Sequence, residues 1–105
     1  MSRKISILCP VVKAMNVIGD TWSVLILRDL FLKQQCRFQD FQDSIQGIAP
    51  STLSNRLKRL EADGVIQRQI YSDHPPRADY HLTQKGQTLG PIILAMKKWG
   101  EQFPD

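Results

Sequence analysis

At Gly64 the hydrophobic period of the chain changes from 3.6 residues to 2, which confines it to folds in which helices are followed by a strand pair. Upstream, Leu53, Leu57 and Leu60 recur at i, i+4 and i+7 and form one apolar helical stripe. The other faces carry Ser51, Thr52, Ser54, Asn55, Arg56, Lys58 and Arg59, and no acidic side chain lies between Pro50 and Leu60. Pro50 suits a first helical turn, where its missing N–H is no loss. Gly64 suits the position just past a helix end. Downstream, residues 65–71 alternate Ile66, Arg68 and Ile70 with Gln67, Gln69 and Tyr71. Residues 72–77 have loop chemistry, because Pro75-Pro76 cannot sit inside a ladder. Residues 78–82 read as a second short strand.

Three more helices are predicted before the stripe. Pro10 opens the first, with Val11, Ala14, Met15 and Ile18 on its apolar side, and Gly19 ends it. Asp20 and Thr21 can both cap the second, over about 22–32. It turns Trp22, Leu25, Ile26, Leu30 and Phe31 inward and Arg28 and Asp29 outward, and as the most hydrophobic helix it should centre the core. Residues 33–37 connect, with room for a short strand. The third helix, 38–44, offers Phe38, Phe41 and Ile45, and residues 46–49 turn into the leucine-striped helix. After the hairpin, Thr83 caps a last helix to about Gln102, with Leu89, Ile92, Ile93, Met96, Trp99 and Phe103 on a wide apolar face. Pro91 should kink it near Gln87. Residues 1–8 read as a loosely ordered lead-in and residues 9–105 as one domain. Helix, helix, helix, recognition helix, hairpin, helix is a mainly α (α+β) winged helix-turn-helix.

Composition narrows the function. An apolar share of 42% and a charged share of 23% describe a globular chain, and a net charge of +4 tilts modestly toward a polyanionic partner. Residues 1–20 hold Arg3, Lys4, Lys13 and Asp20 and no unbroken apolar run, so no secretory leader is read. The run at 24–27 is too short to span a membrane. Two cysteines make no disulfide framework, and a cytoplasmic location is expected. Cys9, Cys36, His74 and His81 lack metal-ligand spacing. With neither a phosphate-binding glycine loop nor a helical His/Glu pair, the expectation is no metal, no cofactor and no catalysis.

These segments, in this order, resemble the HxlR-type winged-helix transcriptional regulators, small relatives of the MarR regulators. The resemblance spans about Cys9 to Phe103. It rests on Cys9-Pro10, on Ile18-Gly19-Asp20-Thr21-Trp22 with Leu25-Ile26-Leu27-Arg28-Asp29-Leu30, and on Arg37-Phe38. It continues through Gly47-Ile48, Leu53-Ser54-Asn55-Arg56-Leu57, Leu60-Glu61-Ala62-Asp63-Gly64, Pro75-Pro76-Arg77 with Tyr80, and Leu82-Thr83-Gln84-Lys85-Gly86. It implies a homodimeric bacterial or archaeal DNA-binding regulator, with a dimer built mainly from the first and last helices. Val11, Met15, Ile92, Met96, Trp99 and Phe103 are its expected interface. One departure is Ala49, where the family often has Ser or Thr before the helix-opening proline. Its helix then lacks a side-chain cap, a loss of about 1 kcal/mol.

The reading is a sequence-specific regulator of double-stranded DNA, a repressor on a pseudo-palindromic operator. The alternative is a winged-helix module for protein contact without DNA binding. Thr52, Asn55 and Arg56 are the expected base contacts, with Ser51 and Arg59 also toward the groove and Ser54 and Lys58 toward phosphates. At the wing, Arg77 suits a minor groove and His74 a phosphate, the alternative for Arg77 being a pair with Asp73 or Asp79. Arg37, Gln39, Arg68 and Tyr71 are backbone candidates. Cys9 precedes a helical turn, where a thiol gains reactivity, and in the family some members sense oxidants or electrophiles with a cysteine there. The alternative is a small buried residue near the interface.

Overall fold

The computed structural model describes residues 9–103 and Asp105. The expected lead-in at 1–8 lies outside the described residues. Pro10 opens α1 (Pro10–Ile18), as its preset φ favours. Asp20 then caps α2 (Thr21–Lys33): its carboxylate accepts from the Trp22 and Ser23 backbone N–H groups at 3.2 and 3.3 Å. Two of the donors that every helix start leaves unpaired are thereby satisfied. α2 is the centre of the core, with Ile26, Leu27 and Leu30 fully buried. Phe41 and Ile45 of the helix-turn-helix meet them, and so do Leu53, Leu57 and Leu60.

Asp29 corrects the expected outer face of α2. It is 1% exposed, because the chain that follows closes over that side. Arg28 donates to its Oδ1 at 3.0 Å, and the Cys36 thiol donates to its backbone carbonyl at 3.9 Å. Leu27, absent from the expected inner face, belongs to the core.

The connector holds β1 (Gln35–Arg37), followed by α3 (Phe38–Ser44), the turn, and α4 (Pro50–Ala62). β2 (Ile66–Asp73) and β3 (Pro76–Leu82) form the hairpin, and β1 adds to the free side of β3, so the antiparallel order is β1-β3-β2. The hairpin is longer than the prolines suggest. Pro76 pairs with Asp73 as the first residue of its strand, a place where a missing N–H costs no ladder bond. The register slips between Ile70 and Ser72, leaving Tyr71 without a partner. Such an extra residue bends a strand and re-aims its side chain.

The last helix is broken rather than kinked. Thr83 caps α5 (Gln84–Gln87), its Oγ1 accepting from the Gly86 N–H at 3.0 Å, and α6 (Gly90–Gln102) restarts with Pro91 in its first turn. A proline that cannot donate back into a preceding turn is tolerated there. No residue of α6 is buried within the chain.

Candidate nucleic-acid interface

The start and stop of α4 decide which side chains it presents. Ala49 occupies the N-cap and makes no side-chain bond, as the sequence implies. At the other end, the Gly64 N–H donates to the Glu61 carbonyl at 3.0 Å and the Val65 N–H to the Leu60 carbonyl at 3.1 Å. This paired closure needs a left-handed residue, and Gly64 supplies it at φ +78°. Buried Val65 leads directly into β2, so the helix and the wing share one rigid joint.

At about 100° per residue, Asn55, Ser51 and Lys58 fall opposite the leucine stripe and Arg59 close to them. All four are exposed, while Thr52, Ser54 and Arg56 are half-buried flanking positions. Arg56, expected among the base contacts, has its guanidinium engaged within the chain. Its Nε donates to Asp20 Oδ2 at 3.2 Å, and its side chain is 24% exposed. Burial pushes the Asp20 carboxyl up, but hydrogen bonds from Ser23 and Arg56, with the Arg56 charge, outweigh it and hold its pKa below the usual carboxylate value. Asp20 reads as a cap in the sequence, and the structure gives it a second role. The signal was the angle of Arg56, roughly 70° from the stripe centre by helical arithmetic.

Beside α4, Arg77 and His74 are exposed at the hairpin tip. Among the described residues the ion pairs are Arg28–Asp29 and Arg56–Asp20, so Arg77 pairs with neither Asp73 nor Asp79. Asp79 instead accepts from Gln35 Nε2 at 2.7 Å. The guanidinium of Arg37 lies 4.8 Å from the centre of the Tyr71 ring, so two separate backbone candidates form one contact. Gln39 is engaged with Asp43 at 2.9 Å, and Arg68 is exposed on β2.

Away from this face, Val11 is 69% and Trp99 67% exposed, and Met15, Ile92, Met96 and Phe103 are exposed with them. The Trp99 and Phe103 ring centres lie 5.0 Å apart. Cys9 is a free, half-buried thiol at the N-cap of α1. Cys36 is free and fully buried, and burial pushes its thiol up to about 11. Among the described residues no single helix is long and apolar enough to cross a membrane. The bent pair α1–α2 passes by length and composition together, but α2 is the buried core helix.

The sequence profile of the HxlR-like helix-turn-helix family matches residues 17–105. The chain belongs to the HxlR-like family. This HxlR-like protein is 40% identical to the uncharacterised HTH-type transcriptional regulator YdeP of Bacillus subtilis (strain 168), over 92% of this chain and 75% of that one. Its fold is similar to that of the redox regulator HypR in its oxidised form, at 38% identity and a TM-score of 0.86. That match covers 92% of this chain and 99% of HypR. A chain from Porphyromonas gingivalis W83 described as a MarR-family regulator also aligns at TM-score 0.86, with 33% identity over 96% of this chain and 99% of that one. The HxlR-like protein is thus a transcriptional regulator of helix-turn-helix type with a winged-helix fold.

Proposed function

We propose that the protein binds a pseudo-palindromic operator in double-stranded DNA as a homodimer and represses transcription from it in the cytoplasm, without cofactor or enzymatic activity. The observation that carries this is the exposed face of α4. Ser51, Asn55, Lys58 and Arg59 stand together there with no acid between Pro50 and Leu60, so the face suits a polyanion and offers no apolar anchor to a protein. The missing side-chain cap fits the same reading, since a DNA phosphate can take the place of a capping oxygen at a helix start. Ser51, Thr52, Asn55 and Arg59 then lie toward bases, with Ser54 and Lys58 toward phosphates. Arg77 and His74 at the wing, with Arg37, Gln39, Arg68 and Tyr71, hold the backbone.

The dimer is supported by the apolar surface that the chain does not cover itself. Val11, Met15, Ile92, Met96, Trp99 and Phe103 would be buried in it. A groove of about 490 Å³ between α2 and α6, lined by Leu25, Phe31, Ile93 and Met96, continues that surface. Large apolar side chains left exposed together in this way suit an interaction site. Selection of sites from random duplex DNA is expected to return two half-sites related by two-fold symmetry. Their centres should lie about one helical turn, roughly 10 bp, or a multiple of it apart. A single unrepeated site, or no enrichment, would contradict the dimeric reading.

Cys9 supplies the sensing part of the proposal, supported by its half-buried thiol and the similarity to the redox regulator HypR. A quinone would add to the Cys9 sulfur, which loses its proton. Diamide would take two thiols to one disulfide and be reduced to the hydrazine. Peptide mass mapping after quinone treatment should place the adduct on Cys9 and leave buried Cys36 unmodified. An unmodified Cys9 would remove the sensing role.

A further inference from the structure

Two adjacent residues of the recognition helix are not independent. Arg56 Nη1 donates to Asn55 Oδ1 at 2.8 Å, while its Nε donates to Asp20 Oδ2 at 3.2 Å. Asp20 is itself fixed at the start of α2 by the Trp22 and Ser23 N–H groups and by the Ser23 hydroxyl. One chain of hydrogen bonds therefore runs from the first turn of the core helix, through Arg56, to an exposed amide.

The direction of that amide follows from donor chemistry. A guanidinium only donates, so the Asn55 atom facing Arg56 must be the carbonyl oxygen. The two N–H bonds of Nδ2 are then on the opposite side of the group. Asn55 stands opposite the buried leucine stripe, one lone pair of its Oδ1 is taken by Arg56, and its unengaged group is the Nδ2 amide, a donor. An unrestrained asparagine reads adenine with both halves, accepting from N6 and donating to N7. A donor alone leaves the adenine amino group unmatched. Guanine presents two neighbouring acceptors, N7 and O6, and matches it.

We propose that Arg56 is a positioning residue which, anchored by Asp20, holds Asn55 donor-outward, so that the recognition helix reads guanine at the Asn55 position. The inference rests on the DNA-binding reading above. It reverses the simplest assignment, in which Arg56 takes guanine and Asn55 takes adenine.

The test is selection from random duplex DNA by four full-length proteins: wild type, Asn55→Ala, Arg56→Met and Asp20→Asn. Wild type should require guanine at one position of each half-site, and Asn55→Ala should lose that preference by about tenfold. Arg56→Met should move the same position from guanine toward adenine, because the released amide can accept as well as donate. Asp20→Asn keeps a good N-cap for α2 but removes the charge that anchors Arg56. It should shift the same position in the same direction, and it answers the question if Arg56→Met proves unfolded in a thermal melt. Loss of guanine in Arg56→Met at a position that Asn55→Ala leaves alone would make Arg56 the base reader and overturn the proposal. So would an even loss of affinity in the Arg56 and Asp20 variants with base preference intact. A wild-type protein that enriches no sequence would sink the DNA-binding reading and this one with it. A clean palindrome from wild type, unshifted in the variants, would sink this one alone.

Discussion

Gly86→Ala is expected to destabilise the protein by about 3 kcal/mol or more, the upper range for forcing an atom into a packed interior. Gly86 is buried in α5, and a Cβ there would lie 1.9 Å from the Val65 carbonyl oxygen and 2.9 Å from its carbon. Neither is the end of a side chain that can swing aside. The Val65 carbonyl also accepts from the Thr83 N–H at 3.1 Å, and Thr83 in turn donates from Oγ1 to the Gly64 carbonyl at 2.6 Å. The alanine methyl would therefore push α5 off the joint that closes α4 and begins β2. At roughly 4–8 °C per kcal/mol for a domain near this size, the melting temperature should fall by more than about 10 °C. A thermal melt followed by circular dichroism checks it, and a fall of less than about 3 °C would show that α5 is not wedged against that joint.

Much of the fold is legible in the sequence wherever the determining signal is local. The leucine stripe, Pro50 and Gly64 all lie within α4 or next to it, and the helix forms between those marks. Asp20 and Thr83 cap the helices they precede. The readings that differ depend on residues far apart in the chain. The short strand for which the connector had room does form as β1, but at three residues it is too short to show a period, and its pairing with β3, Cys36 opposite Tyr80, is likewise set at a distance. The burial of Asp29 follows from what packs over α2, which no helical wheel contains. Pro91 could either bend a helix or begin a new one, and the sequence period is the same in both.

The candidate interface divides in the same way. The exposed polar row of α4 is readable from its angles alone. The tie between Arg56 and Asp20 joins positions 36 residues apart and requires α2 and α4 to be packed together. The helical angle of Arg56 signals that it sits at the edge of the buried face, but that its partner is Asp20 has no sequence signature. Arg37 over Tyr71 is similar, since it depends on the register slip after Ile70.

Raising salt should weaken DNA binding more than any single substitution on the recognition face. Lys58, Arg59, Arg77, Arg37 and Arg68 are exposed cations on or beside the proposed interface, and a dimer presents each of them twice. If about 6–8 of these meet phosphates, Arg59 lying toward bases, affinity should fall roughly 10³- to 10⁴-fold between about 50 and 200 mM salt, because each contact releases condensed counterions. Lys58→Ala should lower affinity evenly across sequences and flatten the slope by about one unit per protomer. Fluorescence anisotropy with the selected duplex across a salt series tests the central claim most directly. A steep linear fall of log affinity with log salt, flattened in Lys58→Ala, is the expected result. Binding that ignores salt, or no binding even at low salt, would contradict a DNA-binding face on α4.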